Sequence, residues 1–215
     1  MSIHLDKRSR YNLILFTLNF IFVFILGLFD GMVNLDLAYF IVISLIIMTS
    51  TFTIKNSGSS WFYLPVITIL IAVSSEFLHL LILAKISAFV SLMFFLFVIV
   101  LLVIKVAKSR RVSLREFLES INVYLLLGIA GFVLFRQVGT WENEAFMHGG
   151  QALDGPAPFV YYSFVTMTTL GYGDIAPTGP VGRSLAIFFS VAGQLYLTMI
   201  IALLVGKYLS QGKED

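Results

Sequence analysis

The chain has 215 residues, 59% hydrophobic and 12% charged, with mean hydropathy +0.95 and net charge +2. Exposed to water such a chain would be insoluble, so the composition excludes an ordinary soluble domain and fits a protein whose solvent is lipid. No cysteine is present, so no disulfide braces it.

In chain order, apolar stretches of the ~20 residues needed to cross a bilayer as helix fall at Tyr11–Phe29, Leu35–Ile54, Trp61–Ala84, Ala88–Val106, Ile121–Val138 and Leu185–Tyr208. These predict an all-α integral membrane protein of six spans. Asp30-Gly31, the run from Asn56 to Ser60 and the segment around Gly149-Gly150 are the clearest breaks, while the third and fourth spans are separated only near Lys85. The first span has a basic lead like a signal peptide but is long and lacks a small-residue cleavage site, so it reads as a retained helix.

Charge sets the orientation. With the N-terminus in the cytoplasm, the basic residues before the first span, Lys55, the cluster from Lys105 to Arg115, Lys207 and Lys213 all lie inside. Only Lys85, Arg136 and Arg183 lie outside. An even span number then puts both ends in the cytoplasm, as expected for a multi-pass protein of the cell membrane. Asp30, Asp36, Glu142, Glu144 and Asp154 face outward, either concentrating cations at a mouth or as solvated loop charges.

Within the third span, Glu76 and His79 are three residues apart on one helical face, which makes them a candidate sensor pair or an interfacial cap. His4 and His148 read as exposed polar residues, and the histidines show no metal-ligand spacing. The fourth span, Ala88 to Ile104, contains no arginine or lysine; the basic cluster from Lys105 to Arg111 at its inner end reads as an anchor. Ser109 to Glu119 has one apolar face and is expected to be an interfacial linker helix.

After Gly155-Pro156-Ala157-Pro158, the segment Phe159–Thr168 is too short to cross and too apolar for a soluble loop. A re-entrant helix fits it, with proline in the first turn and the negative C-terminal end directed inward. Next comes Thr169-Leu170-Gly171-Tyr172-Gly173-Asp174, a tyrosine framed by two glycines. Glycine takes positive φ without a Cβ clash, so successive carbonyls can turn to one side and replace the water shell of an ion. An isolated Gly-Tyr-Gly would more simply be a surface turn.

The run from Phe164 through Thr166-Met167-Thr168-Thr169-Leu170-Gly171-Tyr172-Gly173-Asp174 resembles the pore of voltage-gated potassium channels, with Leu170 where valine is commoner. The likeness extends to Pro177, Gly182-Arg183 and Val191-Ala192-Gly193, and covers roughly Tyr124 to Leu209. It implies a potassium-selective channel without enzymatic activity, with a selectivity filter of Thr169, Leu170, Gly171, Tyr172 and Gly173 that binds potassium ions through the first four, and needing no other cofactor. A single filter loop implies three further identical subunits around one pore. Membrane lipid is the other expected partner, and nucleic acid is not expected.

The resemblance also gives Thr168 and Asp174 supporting roles, and sets Tyr161 against Asp174 and Tyr162 against Tyr172 where the relatives carry tryptophans. Interfacial aromatics are the alternative. Gly193 is either a hinge or a close-packing site. Gln194, Leu197, Ile201, Val205 and Leu209 fall on one stripe, of which the lower three would form a constriction.

The resulting division is a front domain 1–108, a linker 109–120, a pore domain 121–209 and a short tail 210–215, leaving no room for a regulatory domain. A weakly selective cation channel is the nearest alternative. A transporter or membrane receptor is the more distant one, since inverted repeats with broken helices are not apparent.

Overall fold

The computed structural model describes residues 7–29, 34–54, 63–78, 81–109, 113–142 and 144–211. Helix α1 (Lys7–Phe20) continues through a π turn, Ile21–Ile25, and a 3-10 turn, Leu26–Phe29. Helices α2 (Leu35–Ile54), α3 (Tyr63–Leu78), α4 (Leu81–Lys108) and α5 (Leu114–Trp141) follow. The short α6 (Ala157–Met167) is flanked by strands β1 (Phe146–His148), β2 (Gln151–Ala152) and β3 (Ile175–Pro177), before the long α7 (Pro180–Gln211). The protein is an all-α membrane protein in its spanning parts.

Among the described residues, five helices are long and apolar enough to cross a bilayer. The expected third span, Trp61–Ala84, differs most. Its helix α3 has 16 residues, about 24 Å of rise against a hydrocarbon core of roughly 30 Å. Helix α4 is described from Leu81, so Lys85, the expected break, lies inside it. Lys85 carries no turn-forming chemistry, and the leucine, isoleucine and alanine beside it propagate helix readily.

The expected linker helix is also revised. Residues from Leu114 onward form the first turns of α5 itself. Ser113 starts the helix with a capping box, its side chain and backbone N–H both meeting Glu116. This satisfies amide groups that a new helix leaves open. No proline or glycine follows until Gly128, so nothing stops the helix between linker and span.

Helix α5 is the centre of the molecule, packing on α4 and α1 on one side and on α6 and α7 on the other. Glycines on α5 let α6 approach. A Cβ at Gly139 would lie 2.6 Å from the Phe159 ring, and one at Gly128 would overlap that of Phe164. Ser163 anchors the contact, donating to the Gly128 carbonyl at 2.7 Å. Phe135 continues the core, with ring centroids 4.9 Å from Tyr162, 5.3 Å from Phe189 and 5.5 Å from Phe146.

The segment between α5 and α6 is more ordered than the breaks in the sequence suggest. Gly149 and Gly150, both at positive φ, turn an antiparallel hairpin with Met147 opposite Ala152. Strand β1 also pairs with β3, placing His148 opposite Ile175. The chain that follows the Thr169–Gly173 loop is thereby stitched to the hairpin that precedes α6.

Candidate ion pathway

Helix α6 begins with Pro156 at its N-cap and Pro158 in its first turn, and ends at Met167 with Thr168 as its C-cap. Its last carbonyls are not left open. Phe164 O accepts from the Thr168 N–H at 2.9 Å, Thr166 O from that of Thr169 at 3.0 Å, and Val165 O from those of Leu170 and Gly171 at 3.0 and 3.2 Å. In a planar trans peptide the carbonyl points opposite to the N–H. Tethering the Leu170 and Gly171 N–H groups to the helix therefore directs the Thr169 and Leu170 carbonyls away from it.

Backbone handedness alternates along the loop. Thr169, Gly171 and Gly173 have φ of 60°, 55° and 78°, whereas Leu170 and Tyr172 keep negative φ. Thr169 is the only described non-glycine residue at positive φ, an uncommon state that needs local support. Its hydroxyl donates to the Thr168 carbonyl at 2.6 Å and accepts from the Gln194 side chain of α7 at 3.4 Å. Sequence reasoning did not anticipate this threonine's conformation, because its type does not favour it.

Tyr161 donates its hydroxyl to Asp174 at 2.7 Å. That bond holds the Asp174 carboxyl below the usual carboxylate range, against the opposing effect of desolvation; the Ile175 and Asp174 backbone amides and the charge of His148 add to it. Tyr162 does not meet Tyr172 of its own chain. One residue further round α6, it turns into the core against Phe135 and Phe146, at 4.9 and 5.1 Å between centroids. Tyr172 stays 66% exposed and Leu170 55%.

Gly193 is a close-packing site in this structure. A Cβ there would overlap the Met167 carbonyl oxygen and lie 2.6 Å from Met167 Cγ, while α7 runs unbroken past it. Below it Ile201, Val205 and Leu209 are exposed on α7, and Leu197 is half-buried. Glu76 lies in α3, but its side chain and His79 fall outside the described residues. Among the described residues no cluster of three His, Asp or Glu side chains could hold a metal ion.

A second polar centre joins the inner ends of the helices. The buried Glu119 carboxylate of α5 pairs with Lys105 of α4 and with Arg115 at 3.2 Å, and accepts from Asn12 of α1 at 2.9 Å. Lys105 also donates to the Thr53 carbonyl of α2 at 3.0 Å. Asn122 donates to the Asn12 carbonyl at 2.9 Å and accepts from Asn19 at 3.2 Å. On the pore side Tyr196 donates to Ser120 O at 2.7 Å, and Lys207 donates to Val106 O at 2.7 Å. The missed signal was three asparagines and a glutamate with helical spacing in otherwise apolar segments.

The short helix α6 thus leads into an alternating-handed backbone loop beside the two long apolar helices α5 and α7. Residues 121–210 match a family described as ion channel. Potassium voltage-gated channel subfamily A member 10 of Mus musculus is 30% identical over 104 residues, 47% of this chain and 19% of the relative. Two-pore potassium channel 1 of Arabidopsis thaliana is 30% identical over 102 residues, 47% of this chain and 23% of that one. Subfamily A member 5 of Rattus norvegicus is 30% identical over 101 residues, covering 16% of its length. Over this segment the chain is similar in sequence to potassium channels. It spans about a fifth of the length of these relatives.

Proposed function

We propose that four copies of this chain surround one pore that conducts potassium passively and excludes sodium. The observation that carries this reading is the loop from Thr169 to Gly173, where alternating φ and tethered N–H groups free backbone carbonyls for an ion. In one chain the loop from Thr168 to Asp174 is exposed. Non-helical backbone at membrane depth is tolerated only inside protein or along a polar path. A cavity of about 430 Å3 behind the loop, lined by Tyr162, Val165, Ile187 and Val191, leaves room for a neighbouring copy.

In this reading the front helices α1 to α4 serve as a membrane-embedded scaffold, with α3 counted as a sixth crossing. Both ends are then cytoplasmic in the cell membrane, and Ile201, Val205 and Leu209 line the inner mouth. The test is the reversal potential under bi-ionic potassium and sodium in planar bilayers. A strongly potassium-selective value is expected, lost in Gly173→Ala. A value near zero in the parent would favour the weakly selective cation channel instead.

A further inference from the structure

Of the three basic residues assigned to the outer side, two converge on one crevice. Lys85 of α4 and Arg136 of α5 line a cavity of about 300 Å3 between α2, α3, α4 and α5, with Ile43, Ile47, Ile69 and Phe132 as its apolar wall. That volume is at the lower end of small-molecule sites. Arg136 pairs with Asp36 at 2.5 Å, and the Lys85 ammonium stands 5.6 Å from the centre of the Trp141 ring. With two cations and one carboxylate, this set of groups carries a net positive charge. A soluble anion would meet the charge but gain nothing from the hydrocarbon wall; a neutral chain would gain the wall and leave the charge unanswered.

We propose that this crevice binds an anionic phospholipid of the outer leaflet, its phosphate at Lys85 and Arg136 and one acyl chain along Ile43, Ile69 and Phe132. Because Lys85 belongs to α4 and Arg136 to α5, the bound lipid bridges the front helices and the outer helix of the pore. The inference does not depend on which ion the pore selects.

The test is lipid binding to the purified assembled protein by native mass spectrometry, comparing phosphatidylglycerol with phosphatidylcholine of the same chains. Phosphatidylglycerol is expected to bind more tightly. Lys85→Gln is expected to weaken it about fivefold, the effect of one basic charge near a lipid surface, leaving phosphatidylcholine unchanged. Lys85→Arg should retain binding. Ala88→Leu, which narrows the cavity without touching the charges, should weaken the phospholipid as well. Equal binding of the two headgroups, or no change in Lys85→Gln, overturns the proposal. So does displacement by glycerol phosphate alone, which would mark a site for a soluble anion, or binding of a free fatty acid where phospholipid does not bind.

Discussion

At Gly193 there is no room for a methyl group, since its Cβ would fall onto the Met167 carbonyl that closes α6. Gly193→Ala must therefore shift α7 away from the filter or distort the end of α6. Overpacking of this kind costs ~1–3 kcal/mol, so the variant should melt at lower temperature and conduct poorly. Parent-like melting and conductance would show that the two helices are looser than this contact requires. The Tyr161–Asp174 bond acts on the other side of the filter. Tyr161→Phe removes it and is expected to make conduction decay faster during sustained opening. Since this bond depresses the Asp174 pKa, the ionised partner persists below the usual carboxylate range of about 4 and is lost only as pH falls through the depressed value. The difference between parent and variant should thus be the same at about pH 7 and pH 5. A difference that disappears at pH 5 would contradict that assignment.

Helix α5 joins the two halves through Glu119, whose buried carboxylate meets groups from α1 and α4. Removing one partner of a buried ion pair leaves a charge uncompensated, at a cost of ~3–5 kcal/mol. Glu119→Leu should approach that loss in thermal unfolding. Glu119→Leu combined with Lys105→Met should recover part of it, because replacing both charges by apolar groups can be nearly neutral. Additive losses would mean that the pair is not a unit. Helix α4 bears on voltage dependence. It has lysines only at its ends, Lys85, Lys105 and Lys108, and Lys105 is held by Glu119 and the Thr53 carbonyl. One charge crossing the field is worth about 2.3 kcal/mol per 100 mV, so a helix without central charges supplies little drive. The conductance–voltage curve is expected to be shallow, and a steepness of several gating charges would require the anchored lysines to move.

In the whole molecule, the front helices are not a separate body hung from the pore. Phe22 of the π turn and Tyr39 of α2 pack against Phe132 of α5, with centroids at 5.4 and 6.2 Å, on the helix that also carries α6. A front half joined by both an aromatic wall and the Glu119 centre should stabilise the pore segment. Protein comprising residues 113–215 alone is therefore expected to assemble less stably than the full chain, as measured by melting of the purified oligomer. Equal stability would leave the front half without a structural part in the pore.

Composition and local pattern made the membrane class, the short helix α6 and the irregular loop after it legible, because long apolar runs and a Gly-Tyr-Gly frame constrain backbone chemistry within a few residues. Packing decided the rest. Tyr161 and Tyr162 are adjacent and chemically alike, yet one meets Asp174 and the other the Phe135 core, a choice set by the face of α6 turned to α5. Gly193 permits either bending or close approach, and only the position of Met167 shows how closely α6 and α7 approach there. Thr169 takes positive φ although its residue type disfavours it, in a loop whose N–H groups are tethered to α6. The hairpin bridging β1 to β3 and the meeting of Asn12, Lys105 and Glu119 depend on segments far apart in the chain. Short-range chemistry is written residue by residue, whereas pairing across such distances exists only once the helices have packed.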